Sequence, residues 1–196
     1  MKTFFGLFTV LTLILSGITV ASEIDTVKVP EKKQTPQKLY LTAKETLNFI
    51  SKENGKVFFV DVRTQPEVEF VGIAEGVDAN IPYVMNELTE WDDKKNVFKK
   101  SPNSNFLVEF KKRLELKKLD QNAKIVLICR SGDRTANAAA LLDKAGYINV
   151  YSVVDGFEGD LVSEGPDKGK RAVNGWKNAG LPWGYELSKN KMYFDM

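Results

Sequence analysis

The stretch "KIVLICRSGDRTANAAALLDKAGYINVYSVV", residues 124–154, holds the order of segments that decides the fold. "KIVLIC" at 124–129 is a short apolar run, rich in β-branched residues and without the alternation of a half-exposed strand. It predicts a strand covered on both faces. "NVYSVV" at 149–154 reads the same way. Between them, "RTANAAALLDKAG" repeats apolar residues at helical spacing and stops at Gly146. Strand, helix, strand in that order makes a right-handed crossover between parallel neighbours. Further out, "KVFFVDV" at 56–62 supplies another buried strand, and "TAKE" at 42–45 has the capping-box form. That box opens a helix running to about Lys52, which Asn54-Gly55 ends. The expected fold class is α/β, three layers with a central, mostly parallel sheet flanked by helices.

The stretch from Pro82 to Asn122 is long for a connection in such a unit, and "NFLVEFKKRLELKKL" at 105–119 predicts an amphipathic helix within it. Its lysines, including Lys111, Lys112, Lys117 and Lys118, read as the solvated side of a packed helix, with a basic docking face as the alternative. "GPDKGKR" at 165–171 reads as a loop. "AVNGWKNAGLPW" at 172–183 predicts a short terminal helix ended by Gly180 and Pro182, with Trp176 and Trp183 packed on the body.

The first residues, "MKTFFGLFTVLTLILSGITVASE", combine Lys2, an apolar run from Phe4 to Leu15 and small residues near Thr19–Ser22, as a secretory signal does. Cleavage is expected after Ala21, which makes the mature protein exported, either periplasmic or secreted. The alternative is a retained N-terminal anchor facing the periplasm, although a span wants roughly 20 strongly apolar residues. After cleavage no stable membrane span is expected. Residues 22–38 are polar with two prolines and read as a flexible spacer. The expected organisation is a signal at 1–21, a spacer at 22–39, one domain at 40–185 with residues 82–122 as a long insertion, and a tail at 186–196.

Composition excludes much. The formal charge of +2 gives no global field for gripping a nucleic acid, so none is expected as a partner. With one cysteine and no histidine, a zinc finger, a Cys-His protease, a Ser-His-Asp hydrolase, a c-type haem and a CxxC redox pair all lack necessary parts. No metal site is expected. The single cysteine, Cys129, has no partner within the chain, so in an oxidising compartment it is buried and inert, cross-linked to another chain, or reactive.

Its surroundings favour reactivity. Cys129 ends a predicted parallel strand, at the carboxyl edge where open α/β sheets bind ligands. The amides from Arg130 to Thr135, spanning Ser131, Gly132, Asp133 and Arg134, can curl around the sulfur, with Gly132 supplying a conformation that side-chain-bearing residues resist. The positive end of the following helix and the charges of Arg130 and Arg134 add to this. A free cysteine has a pKa of about 8.5, which such surroundings lower to roughly 3.5 to 7.5, so a thiolate without a histidine base is expected. Asp133 opposes that anion unless it points outward or pairs with an arginine. A small buried residue closing a strand is the inert alternative.

These residues resemble the single-domain rhodaneses, sulfurtransferases that carry a sulfane sulfur as a cysteine persulfide. The resemblance spans roughly Leu41–Trp183. "VDVRTQPEVEFVG" at 60–72 is similar to the family's Asp-Val-Arg segment, and "CRSGDRT" at 129–135 to its active-site loop. "AGYINVYSVVDGF" at 145–157 and "GWKNAGLPW" at 175–183 resemble the segments that follow. Two departures stand out: "GIAEGVDA" at 72–79 lacks the family's usual histidine, and Asp155 replaces the first glycine of a common pair. The resemblance implies that Cys129 takes sulfur from a small anionic donor such as thiosulfate, releases sulfite, and passes the outer sulfur to cyanide, a thiol or a protein acceptor. It implies no cofactor beyond the covalent persulfide. Arg130 and Arg134 would attract the donor, and Asp61 and Arg63 would have a supporting role, or form an ion pair that pins the strand end. The alternatives are a persulfide carrier or binding module without turnover, and a cysteine-dependent phosphatase or arsenate reductase on the same scaffold. The latter use five residues between cysteine and arginine, whereas four separate Cys129 from Arg134.

Overall fold

The structure is a computed structural model and describes residues 28–194. The expected signal peptide therefore lies outside the described residues. Five strands form one sheet: β1 (Leu39–Leu41), β2 (Val57–Asp61), β4 (Ala79–Asn80), β7 (Lys124–Ile128) and β8 (Val150–Val153). Their order is β1-β8-β7-β2-β4, and every pairing is parallel. The β7, helix, β8 unit is the one expected from the sequence, with α4 at Asp133–Lys144 between the two strands. A chain-reversing Gly146 follows the helix at φ 89°.

All five residues of β2 are buried, as are four of the five in β7, which is why neither shows alternation. Period-two geometry nevertheless sorts them. Phe58, Val60, Ile125, Leu127 and Cys129 face Phe106, Phe110 and Leu114 of α3 (Phe106–Leu116) and Ala138, Ala139 and Leu142 of α4. Val57, Phe59, Val126 and Ile128 face the opposite way, toward Val68, Phe157, Trp176 and Met192. That second layer includes α1 (Ala43–Lys52) and α2 (Gln65–Val71), both opened by capping boxes, Thr42 with Glu45 and Thr64 with Glu67. The result is the three-layer α/β arrangement.

Several expectations are corrected. Residues 172–182 form bends and turns, not the helix expected over 172–183, because Gly175 (φ 99°) and Gly180 (φ 67°) take left-handed conformations that break a helical run. A Cβ at Gly175 would lie 2.5 Å from the Gly159 nitrogen, so the chain there is held against a neighbouring loop. Trp176 and Trp183 do pack on the body, and β9 (Trp183–Gly184) pairs antiparallel with β3 (Ile73–Ala74). The insertion contains more than a helix: β5 (Val84–Asp92) and β6 (Val97–Pro102) form an antiparallel hairpin ahead of α3. On α3, Lys111 and Lys112 reach carboxylates of their own helix and Lys117 reaches Asp78, which fits the solvated-face reading.

The part of the expected spacer that is described, from Lys28, lies on the domain. Lys33 is buried and donates to the Val154 carbonyl at 2.9 Å and to Asp160 at 2.8 Å. A charge so covered requires such partners, and Lys33 has them. The expected tail is likewise packed, with Met192 and Tyr193 buried and the Arg113 guanidinium donating to the Met192 carbonyl at 2.7 Å.

Trp176 is the largest fully buried side chain, set 5.7 Å from Phe59 between ring centroids and donating from its indole to the Pro182 carbonyl at 2.8 Å. Trp176→Ala is expected to cost about 3–5 kcal/mol of unfolding free energy, read from the urea midpoint.

Candidate active site

Cys129 follows β7 directly, and its side chain ends the row of Ile125 and Leu127 on one face of the sheet. The residue is only 1% exposed. It is not sealed, because it lines a cavity of about 240 Å³ together with Val84, Lys100, Arg130, Ser131, Asp133 and Arg134. Larger cavities, of about 480 and 320 Å³, lie beside the β3–β9 pair and beside α2, and neither is lined by Cys129.

The loop is shaped by two glycines. Gly132 sits at φ 95° at the N-cap of α4, where its amide donates to Cys129 Sγ at 3.1 Å. A Cβ on Gly132 would come within 2.5 Å of the Val154 carbonyl oxygen. Gly156, at φ 65° in the adjacent loop, lies beneath the backbone of Arg130 and Ser131, and its Cβ would stand 2.6 Å from them. Both positions exclude any side chain. Among the described residues Gly132 is the one amide that hydrogen-bonds the sulfur, where the sequence suggested a ring of amides. Amides of the neighbouring loop hold this one in place: Phe157 donates to the Cys129 carbonyl at 2.8 Å and Glu158 to the Arg130 carbonyl at 3.0 Å. Thr135 is buried, its hydroxyl bonded to the Gly132 carbonyl and to Ser152, each at 2.7 Å. Ser131 is buried at the cavity wall, and Arg130 is exposed.

Arg134 is placed differently from expectation. Its guanidinium is held by both carboxylate oxygens of Glu67, at 2.5 and 2.6 Å. Burial works to raise the Glu67 pKa, but hydrogen bonding and attraction from Arg134, with the Thr64 amide, bring it down to about 2. Burial likewise opposes the charge on Arg134, yet Glu67, with smaller contributions from Cys129 and Asp61, raises its pKa above the ordinary arginine value. Asp133 pairs neither with an arginine nor with solvent alone; Lys32 of the N-terminal segment meets it at 3.3 Å. Glu67 and Lys100 are the site residues that sequence reading missed. Glu67 lies within the quoted "QPEVEF" turn, but no spacing rule connects it to Arg134, 67 residues later. Lys100 arrives on the unexpected hairpin.

Asp61 and Arg63 stand apart from the cavity. Both are fully buried and joined at 2.6 Å, and Arg63 also donates to the Gly72 carbonyl at 2.8 Å and stacks 4.0 Å from the Phe157 ring centre. They pin the end of β2 to the loops beside it. Asp155 accepts from the Ala43 amide, the first of α1, at 2.8 Å. That contact accounts for an aspartate where the resembling family has glycine.

A profile of the rhodanese-like domain matches residues 42–160. The chain is 35% identical over 130 residues to an uncharacterized protein of Rickettsia prowazekii, covering 66% of this chain and 85% of that one. It is 29% identical over 119 residues to the thiosulfate:glutathione sulfurtransferase of Saccharomyces cerevisiae, covering 61% and 74% of the two chains. The crystal structure of Rv0390 from M. tuberculosis superposes with a TM-score of 0.57 at 29% identity, covering 75% of this chain and 97% of that one. The chain belongs to the rhodanese-like domain family.

Burial pushes the Asp155 carboxyl up to about 6 from 3.8, against the amides of Ala43, Asp155 and Gly175. The folded state therefore holds this proton more tightly than the unfolded chain, so the carboxyl's contribution to stability falls as pH rises from about 4 through 6. Asp155→Asn keeps an oxygen for Ala43 and carries no charge. It is expected to raise unfolding free energy at pH 7 by up to roughly 2–3 kcal/mol, with the gain vanishing toward pH 4 in urea titrations.

Proposed function

We propose that this protein is a sulfurtransferase that moves a sulfane sulfur from a donor such as thiosulfate to cyanide or a thiol through a persulfide on Cys129. The carrying observation is that Sγ accepts an amide hydrogen bond at 3.1 Å while lining a small cavity whose other walls include Lys100, Arg130 and Arg134. An amide and the N-terminus of α4 favour negative charge at the sulfur, and direct attack needs no proton shuttle. The named activity of the yeast relative supports a thiosulfate-type donor.

In the first step the Cys129 thiolate attacks the outer sulfur of the donor. The new Sγ–S bond forms as the donor's S–S bond breaks, and sulfite leaves with the electron pair. In the second, the acceptor's lone pair takes the outer sulfur and the thiolate is regenerated. No external oxidant or reductant enters. Gly132 stays hydrogen-bonded to Sγ in the resting state, and Arg130 and Ser131 flank the entrance. Glu67 and Arg134 neutralise one another, so the pair acts chiefly as a brace that ties α2 to the loop. The recessed sulfur and small cavity favour small donors over bulky ones. The four-residue spacing between Cys129 and Arg134 counts against a phosphatase. Residues 1–21 are proposed to direct export to the periplasm or beyond.

Thiocyanate release from thiosulfate and cyanide is expected from the wild type and abolished in Cys129→Ala. Persulfide loading without release to any small acceptor would instead mark a carrier, and no loading from any donor would sink the proposal. Intact mass of protein purified without reductant is expected to show a reducible adduct of about 32 Da, one sulfur atom, on Cys129. The same spectrum reports whether the chain begins after Ala21.

A further inference from the structure

The hairpin β5–β6 brings two residues to the cavity, Val84 and Lys100, and of these Lys100 is the charged one that the loop motif does not contain. Adjacent strand residues face opposite sides. Lys99 turns outward and pairs with Glu90 at 2.9 Å, whereas Lys100 faces the cavity beside Val84. The base of the hairpin is fixed, because Asn103 donates from its amide to the Tyr83 carbonyl at 3.0 Å and from its side chain to Pro82 at 2.8 Å.

The charges around the cavity do not cancel. Arg134 is taken by Glu67, and Asp133 by Lys32. Lys100 and Arg130 have no carboxylate within 4.0 Å among the described residues, which leaves two positive charges facing the space in front of Cys129. Partial desolvation pushes the Lys100 ammonium below its ordinary pKa, with Glu67 opposing and Arg134 and Arg130 adding smaller contributions to the lowering.

We propose that Lys100 is a specificity-determining residue that binds the terminal oxyanion of a doubly charged sulfur donor, with Arg130 as the second cation. This rests on the reading of Cys129 as sulfur acceptor. Lys100 transfers no proton: it holds the oxygens of the leaving group while the donor's S–S bond breaks and sulfite departs with the electron pair. Lys100 is an exposed residue, so its substitution is expected to leave the fold intact.

Two donors that differ in charge separate this role from general damage. Thiosulfate is a dianion, and methanethiosulfonate presents the same sulfane sulfur on a monoanion. Lys100→Gln is expected to raise KM for thiosulfate roughly 10- to 100-fold and KM for methanethiosulfonate less than about threefold, with kcat retained and Lys100→Arg restoring most of the loss. Equal effects on both donors, or none, overturn the proposal. A second measurement needs no turnover. Sulfate is expected to slow alkylation of Cys129 by iodoacetamide in the wild type and to lose that protection in Lys100→Gln. Protection absent from the wild type, or undiminished in the variant, overturns the anion site. A wild type that sulfate protects but that loads sulfur from neither donor would refute the sulfur-transfer reading while leaving the anion site standing.

Discussion

The position of the reactive sulfur depends on how closely two backbones approach at the carboxyl edge of the sheet. Gly156 lies under Arg130 and Ser131 where even a methyl group would stand 2.6 Å away, and Gly132 is similarly close to the Val154 carbonyl. With those two side chains absent, the amides of Phe157 and Glu158 can reach the carbonyls of Cys129 and Arg130. The loop after β7 is thereby fastened to the loop after β8 by main-chain bonds alone. Its side chains are left free to face the cavity, and the Gly132 amide is left free to face the sulfur.

Charge is arranged around this frame in layers of differing burial. The Asp61–Arg63 pair is fully buried and anchors the end of β2, with Arg63 also reaching Gly72. Nearer the opening, Glu67 and Arg134 bridge α2 and α4, with side chains 17% and 16% exposed. At the rim, Lys32 meets Asp133 directly in an exposed pair, which contributes little to stability. Each layer consumes a charge of one sign with a charge of the other, which is why the residual positive field at Cys129 comes from Lys100 and Arg130 and not from the arginine that the motif highlights.

What could be read in advance follows from the range of the signal. The buried strands, the capping box at Thr42, the glycine stop at Gly146 and the loop around Cys129 are all written in runs of fewer than about fifteen residues, within which period and punctuation are decisive. The hairpin escaped because no residue of "VMNELTEWD" is buried and the run carries no clean apolar alternation. Residues 172–183 looked helical by their ends, yet Gly175 in the middle is held against Gly159, a contact that only the folded chain creates. Glu67 and Lys100 belong to the site through pairings across 67 and 29 residues, Arg134 with the first and the Cys129 cavity with the second, and such distances leave no local trace. The polar, proline-containing segment before Leu39 resembled a tether, but Lys33 is buried and finds a carboxylate partner, Asp160, on the far side of the sequence.

The depth of Cys129 bears on what an oxidising environment can do to it. A bond between two cysteines requires Cα atoms within about 4.4–6.8 Å of one another. Two copies of this chain, each with the sulfur at the floor of a cavity and 1% exposed, cannot meet that condition without unfastening the loops. Dimers linked through sulfur are therefore sterically barred. Small oxidants such as peroxide remain the agents able to spoil the thiol.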